Sequence, residues 1–157
     1  MSLTRRFFVN PGSRFLLPAL AGGVVAVLDM VSKRIVQGVS QPVSIVRGVS
    51  VQPVANAEGP FGSLSLGLTL TASAVVLLFL FLGLRGAGSR GERLGIGLVL
   101  GGGTANFIER VTTGQVTDIF LIHQVSAWNV SDIAVLLGVV GMAGSWFVKR
   151  TLRQTRS

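Results

Sequence analysis

From Leu64 to Leu84 the chain runs for about twenty residues with no charged side chain, and Leu, Val and Phe dominate the run. A helix of that length crosses the roughly 30 Å hydrocarbon core of a bilayer. That one stretch sets the class of the whole molecule, because its neighbours must then share or border a membrane. Composition agrees. Charged residues make up 13% of the chain, hydrophobic residues 49%, and mean hydropathy is +0.66. A soluble domain carries about 25% charged residues. The 21 glycines suit close helix packing in lipid.

Three further apolar runs read as spans. The first covers about residues 15–31 and includes Pro18 and Gly22-Gly23, which transmembrane helices tolerate. The segment Thr4-Arg5-Arg6-Phe7-Phe8 is similar to a twin-arginine export signal, with Ala19-Leu20-Ala21 similar to a cleavage site. The apolar run continues to Leu28, however, so it reads as an intact span. The second span is 64–84. The third is 94–108, where Gly97 and Gly101 in GxxxG spacing predict a close helix neighbour. Its Gly101-Gly102-Gly103 run lacks the strand and Lys-Ser/Thr of a phosphate loop. The fourth is 130–148, with Gly138, Gly141 and Gly144 read as a packing stripe. The region between spans two and three, 85–93, reads as a short Gly-rich loop.

Residues 38–62 are too polar to span. Gln41–Val46 and Val49–Val54 alternate and carry β-branched side chains, which predicts short strands in a lobe outside the membrane. Asn56–Gly62 reads as a turn-rich loop. The expected fold is therefore an all-α membrane protein with four transmembrane helices and a small extracytoplasmic β-lobe between the first and second, all in one domain over 1–157.

Net charge is +8. The basic residues stand at the ends of apolar runs, so they read as topology signals, and no nucleic-acid reader motif accompanies them. Arg5, Arg6, Arg14, Arg85, Arg90, Arg93, Lys149, Arg150, Arg153 and Arg156 outnumber Lys33, Arg34, Arg47 and Arg110 on the other face. Both termini are then expected in the cytoplasm, with the β-lobe and the segment from Asp118 to Asp132 facing outward. Nucleic acid is not an expected partner; membrane lipid is.

The outer face holds Asp29, Glu58, Glu109, Asp118 and Asp132, of six acidic residues in the chain. Burying an ionised carboxylate costs several kcal/mol unless it is paired. The chain has no cysteine and one histidine, His123. Disulfides, thiolate sites and cysteine nucleophiles are excluded, and a His/Cys zinc site is not expected. Nothing resembles a nucleophile elbow around a serine, so His123 reads as a polar loop residue at the interface. A carboxylate pair remains. Two close carboxyls share a proton, so that one can accept a proton from water while the other donates to a scissile carbonyl. Asp118 and Asp132 flank one short loop and suit that role, with no metal and no cofactor.

Plainer readings stand beside this one. Asn129 is a good N-cap, with Asp132 at N3, and Asp132 can be a capping carboxylate alone. Asp118 can be a strand- or loop-end aspartate with a backbone partner. Asp29 and Lys33 form an i,i+4 pair that can simply close a helix at the membrane surface. A transporter or channel would need polar residues through the middle of its spans, and the second and fourth have almost none.

Five segments in order carry a resemblance. They are Asp29-Met30-Val31-Ser32-Lys33, Asn56-Ala57-Glu58-Gly59-Pro60-Phe61, Gly101–Arg110, Gly114-Gln115-Val116-Thr117-Asp118 and Trp128-Asn129-Val130-Ser131-Asp132. Over about residues 20–148 the chain resembles the lipoprotein signal peptidases (signal peptidase II), four-span aspartic peptidases of the bacterial inner membrane. The resemblance implies a catalytic pair at Asp118 and Asp132. It implies supporting or substrate-binding residues at Asp29, Lys33, Asn56, Gly102, Asn106, Arg110 and Asn129. It implies cleavage before a diacylglyceryl-modified cysteine in a prolipoprotein, with the β-lobe cradling the substrate; the chain is expected to act as a monomer. Glu58, Pro60, Ala105, Glu109, Trp128 and Ser131 depart from the family's pattern. A catalytically silent homologue that binds lipoproteins or partner helices is the alternative expectation.

Overall fold

The computed structural model describes residues 13–57, 66–123 and 125–155, without the side chains of Ser13 and Arg153. The basic residues Arg5, Arg6 and Arg156, the loop from Glu58 to Gly62 and the first residues of the second expected span lie outside that range. Element order is α1 (Ser13–Gln37), β1 (Val43–Val46), β2 (Val49–Asn56), α2 (Leu66–Gly83), a short 3₁₀ turn (Leu84–Gly86), α3 (Arg90–Thr113), β3 (Val116–Ile122), β4 (Ser126–Trp128) and α4 (Val130–Gln154).

Three of these helices, α1, α2 and α4, are long and apolar enough to cross a membrane. The fourth long helix, α3, carries charge at both ends and glycine through its middle, and its role there is to be packed against. Glycine sets how near its neighbours come. A Cβ on Gly101 would collide with Gly22 of α1, and one on Gly97 would meet the Pro18 backbone at 2.6 Å. On another face a Cβ on Gly95 would stand 2.7 Å from the Gly138 carbonyl of α4. The GxxxG expectation for Gly97 and Gly101 therefore holds, with α1 as the partner. The expected stripe on α4 does not hold beyond Gly138. Around Gly141 and Gly144 no described atom lies within 4 Å of an added Cβ. The outermost helix is α2, whose Val75, Val76, Leu78, Phe79 and Phe81 remain exposed as a lipid-facing side chain would.

The sheet corrects the expected fold class. It has four antiparallel strands in the order β1-β2-β3-β4. The segment between α1 and α2 supplies only β1 and β2, while β3 and β4 come from between α3 and α4. The molecule is thus mostly helical but not all-α, and its lobe is shared by two distant pieces of chain. Along β2 and β3, Val54 stands opposite Asp118 and Asn56 opposite Val116. A second correction concerns 85–93. Ser89 caps α3, its hydroxyl taking the Glu92 amide while Glu92 returns to the Ser89 amide. The helix therefore starts at Arg90 and the loop is shorter than expected. At the far end Gly114, with φ 77°, closes α3 by donating its N–H to the Arg110 carbonyl. That turn delivers the chain directly into β3.

Candidate active site

Local sequence places four elements around one point. Gly114 turns α3 into β3, which carries Asp118. The β3–β4 hairpin turns at His123, held in a left-handed conformation at φ 49°, and returns the chain to Asn129. Asn129 starts α4. Its Oδ1 accepts the Asp132 N–H at 2.9 Å, and its own N–H donates to Asp132 Oδ2 at 3.1 Å. This reciprocal cap is the expected one, but Asp132 does more. Its Oδ1 accepts from Asn106 Nδ2 at 2.9 Å, so a carboxylate read as a possible cap is also tied to α3.

Asp118 is 1% exposed and Asn129 has no exposed surface. Asn129 Nδ2 donates to Asp118 Oδ1 at 2.8 Å, and Asn56 Nδ2 donates to Asp118 Oδ2 at 2.9 Å. A single asparagine side chain therefore holds Asp118 with its amide nitrogen and the start of the Asp132 helix with its oxygen. Asp132 itself is half-buried. Burial pushes the Asp118 carboxyl above the ordinary carboxylate range. The two asparagine N–H donors and the charges of Lys33 and Arg110 pull against that shift without cancelling it.

Behind the aspartates lies a charged layer. Asp29 and Lys33 do form the expected ion pair, at 2.6 Å. They do not sit at an open helix end, because both are buried. Lys33 spends its three N–H donors on Asp29, on Glu109 Oε2 at 2.7 Å and on Asn106 Oδ1 at 3.1 Å. Asp29 Oδ1 accepts the Ser131 N–H at 2.9 Å, which fixes α1 to the first turn of α4. Removing Lys33 would leave Asp29 as an uncompensated buried charge. Gly102 makes the α3–α4 approach possible, since a Cβ there would stand 2.5 Å from the Ser131 carbonyl oxygen. Arg110 is buried close to Asp118, and its Nε has no hydrogen-bond partner among the described residues.

The sequence-derived residues Asp29, Lys33, Asn56, Gly102, Asn106, Arg110, Asp118, Asn129 and Asp132 thus come from five elements and the β4–α4 junction to one place. Glu109 was not among them. Its Oε1 accepts the Thr117 N–H at 3.0 Å, beside its pairing with Lys33. The signal available was its position: it lies three residues after Asn106 on one helix face. His123 is elsewhere, at the hairpin tip, where its N–H donates to the Gly48 carbonyl at 2.6 Å. Among the described residues no group of three or more His, Asp or Glu is arranged to hold a metal ion.

The family described as Signal peptidase (SPase) II matches residues 22–148. The lipoprotein signal peptidase of Maridesulfovibrio salexigens is 43% identical over 58 residues, which is 34% of this chain and 37% of that protein. That of Pseudomonas syringae pv. tomato is 33% identical over 67 residues, 40% of this chain and 39% of that protein. The aligned stretches thus span well under half the length of these relatives. Two solved bacterial membrane enzymes, determined by the in meso method at 2.3 and 1.9 Å, share the fold. Their TM-scores are 0.75 and 0.73 at 19% identity. The matches cover 90% and 87% of this chain, and 91% and 94% of theirs.

Proposed function

The chain belongs to the signal peptidase II family, a family of multi-pass bacterial membrane proteins, and from that premise we propose that it is an active aspartic endopeptidase. Its substrate is a diacylglyceryl-modified prolipoprotein, cut on the signal-peptide side of the lipidated cysteine. The observation that carries this reading is the shared hold on Asp118 and Asp132: four N–H donors from Asn56, Asn106 and Asn129 fix both carboxylates.

The chemistry follows from two neighbouring carboxyls sharing one proton. The ionised member takes a proton from water as the water oxygen attacks the scissile carbonyl carbon. The protonated member donates to the carbonyl oxygen, giving a tetrahedral diol. Collapse of the diol breaks the C–N bond: one diol hydroxyl returns a proton to the carboxylate that had donated one, and the proton gained from water passes to the leaving nitrogen. Fixed asparagine donors hold both carboxylates in place, so no reorganisation is needed at the moment of reaction. In this reading the buried Arg110, close to Asp118, orients the pair or binds a substrate carbonyl.

In the same reading α3 also crosses the membrane, which makes four spans, and both termini are cytoplasmic. The whole chain acts as one domain and as a monomer. The site then lies near the outer face, and the lipidated substrate arrives laterally while its acyl chains stay in the bilayer. Four aligned spans suit the positive-inside distribution of Lys and Arg. The test is cleavage of lipidated prolipoprotein by the purified protein. Binding without cleavage by folded wild-type protein would favour the catalytically silent homologue instead.

A further inference from the structure

Glu109 touches neither aspartate, yet each of its two oxygens begins a chain of contacts that ends on one of them. Oε1 accepts the N–H of Thr117, the residue immediately before Asp118 on β3, at 3.0 Å. Oε2 pairs with Lys33 at 2.7 Å, Lys33 donates to Asn106 Oδ1 at 3.1 Å, and Asn106 Nδ2 holds Asp132 Oδ1 at 2.9 Å. The side chain is 22% exposed, so both contacts are only partly screened by solvent. Strand β3 is paired to β2 along this stretch, with Thr117 opposite Ala55. Its attachment to α3 at Thr117 runs through Glu109 instead. Lys33 carries a second carboxylate partner in Asp29, so Glu109 is not needed simply to neutralise it.

We infer that Glu109 is a positioning residue which sets the separation of Asp118 from Asp132. It clamps β3 to α3 on one side and presses Lys33 against Asn106 on the other. The inference rests on the aspartate-pair reading above for its kinetic consequence, but the clamp itself is a separate structural claim. A displacement of about 1 Å between reacting groups can cost about 100-fold in rate. A side chain of this length therefore has catalytic weight without touching substrate.

The test uses the full-length protein in detergent with a lipidated prolipoprotein, and compares Glu109→Ala with Glu109→Gln. The glutamine keeps the reach and an oxygen for the Thr117 N–H but loses the charge facing Lys33. Two readouts are taken: kcat against KM, and hydrogen exchange of the peptide covering 116–122. Glu109→Ala is expected to lower kcat about 100-fold, to change KM less than about threefold, and to speed exchange in β3. Glu109→Gln is expected to lower kcat by about 10-fold with β3 still protected. Lys149→Met removes the remote ion pair to Glu92 and should leave kcat unchanged.

Wild-type kcat, or unchanged β3 exchange, in folded Glu109→Ala would overturn the inference. If the alanine variant does not yield folded protein, an unchanged kcat in Glu109→Gln would overturn it. If the wild type itself cuts no lipidated substrate, the functional reading fails. The exchange of β3 in Glu109→Ala then still decides the clamp, upholding it if faster and refuting it if unchanged.

Discussion

The Nδ2 of Asn129 donates to Oδ1 of Asp118 at 2.8 Å, from a residue with no exposed surface. The same side chain caps α4 through the Asp132 amide. Asn129→Ala therefore removes a helix cap and strands a buried carboxylate oxygen. The expected cost is about 2–4 kcal/mol of stability, above that of a cap alone. Activity should fall further than that of the well-folded fraction would explain, by about 100-fold. Thermal unfolding in detergent and cleavage rate per folded molecule check the two parts separately.

Lys33 and Lys149 each pair with a glutamate at 2.6–2.7 Å, but their surroundings differ. Lys33 is buried between Asp29 and Glu109, whereas the Lys149 side chain is 39% exposed. Lys33→Met leaves two carboxylates facing each other and should cost about 3–5 kcal/mol, or abolish folded protein. Lys149→Met should cost less than about 1 kcal/mol. Paired unfolding midpoints of the two variants give the comparison directly.

Much of this was legible in the chain itself, and the exceptions have physical reasons. Uninterrupted apolar runs announce spans, and the motif segments around Asp29, Asn106, Asp118 and Asn129 each lie at the end of an element. The partner of a sheet edge is a different matter. Nothing local in 116–122 states that it will pair with 49–56, because the two strands are about 60 residues apart and meet only once the helices between and around them have packed. The true start of α3 was available in the Ser89–Glu92 capping box but was masked by the glycines and arginines around it. The role of Glu109 escaped because its partner Lys33 is 76 residues away on α1 and its contact with Thr117 exists only once the turn at Gly114 has formed.

Close helix approach gives a further prediction. Gly102→Ala would drive a methyl to within 2.5 Å of the Ser131 carbonyl, pushing apart the helices that carry Asn106 and Asp132. A loss of about 1–3 kcal/mol is expected, together with reduced turnover. Gly144→Ala meets nothing within 4 Å and should leave stability unchanged or raise it by up to about 1 kcal/mol through helix propensity. Equal effects at the two positions in unfolding assays would refute the packing argument.

Burial raises the Asp118 carboxyl above its unfolded value. The folded state therefore holds a proton that the unfolded state has released. The resulting stabilisation is complete below the unfolded value, about 3.9, and is lost as pH rises through the folded one. Asp118→Asn removes this dependence. The unfolding midpoint of wild type relative to Asp118→Asn should thus fall as pH is raised from about 4 towards neutrality. A difference that grows in favour of wild type over that range would contradict the burial argument.

The most direct measurement is cleavage of a diacylglyceryl-modified prolipoprotein by the purified protein in liposomes. Wild type is run beside Asp118→Asn and Asp132→Asn, with the unmodified prolipoprotein as control. The account predicts a cut before the lipidated cysteine by wild type, no cut of the unmodified chain, and loss of cleavage in both variants despite normal folding. Cleavage surviving in either variant, or none from folded wild type on several lipidated substrates, would contradict it.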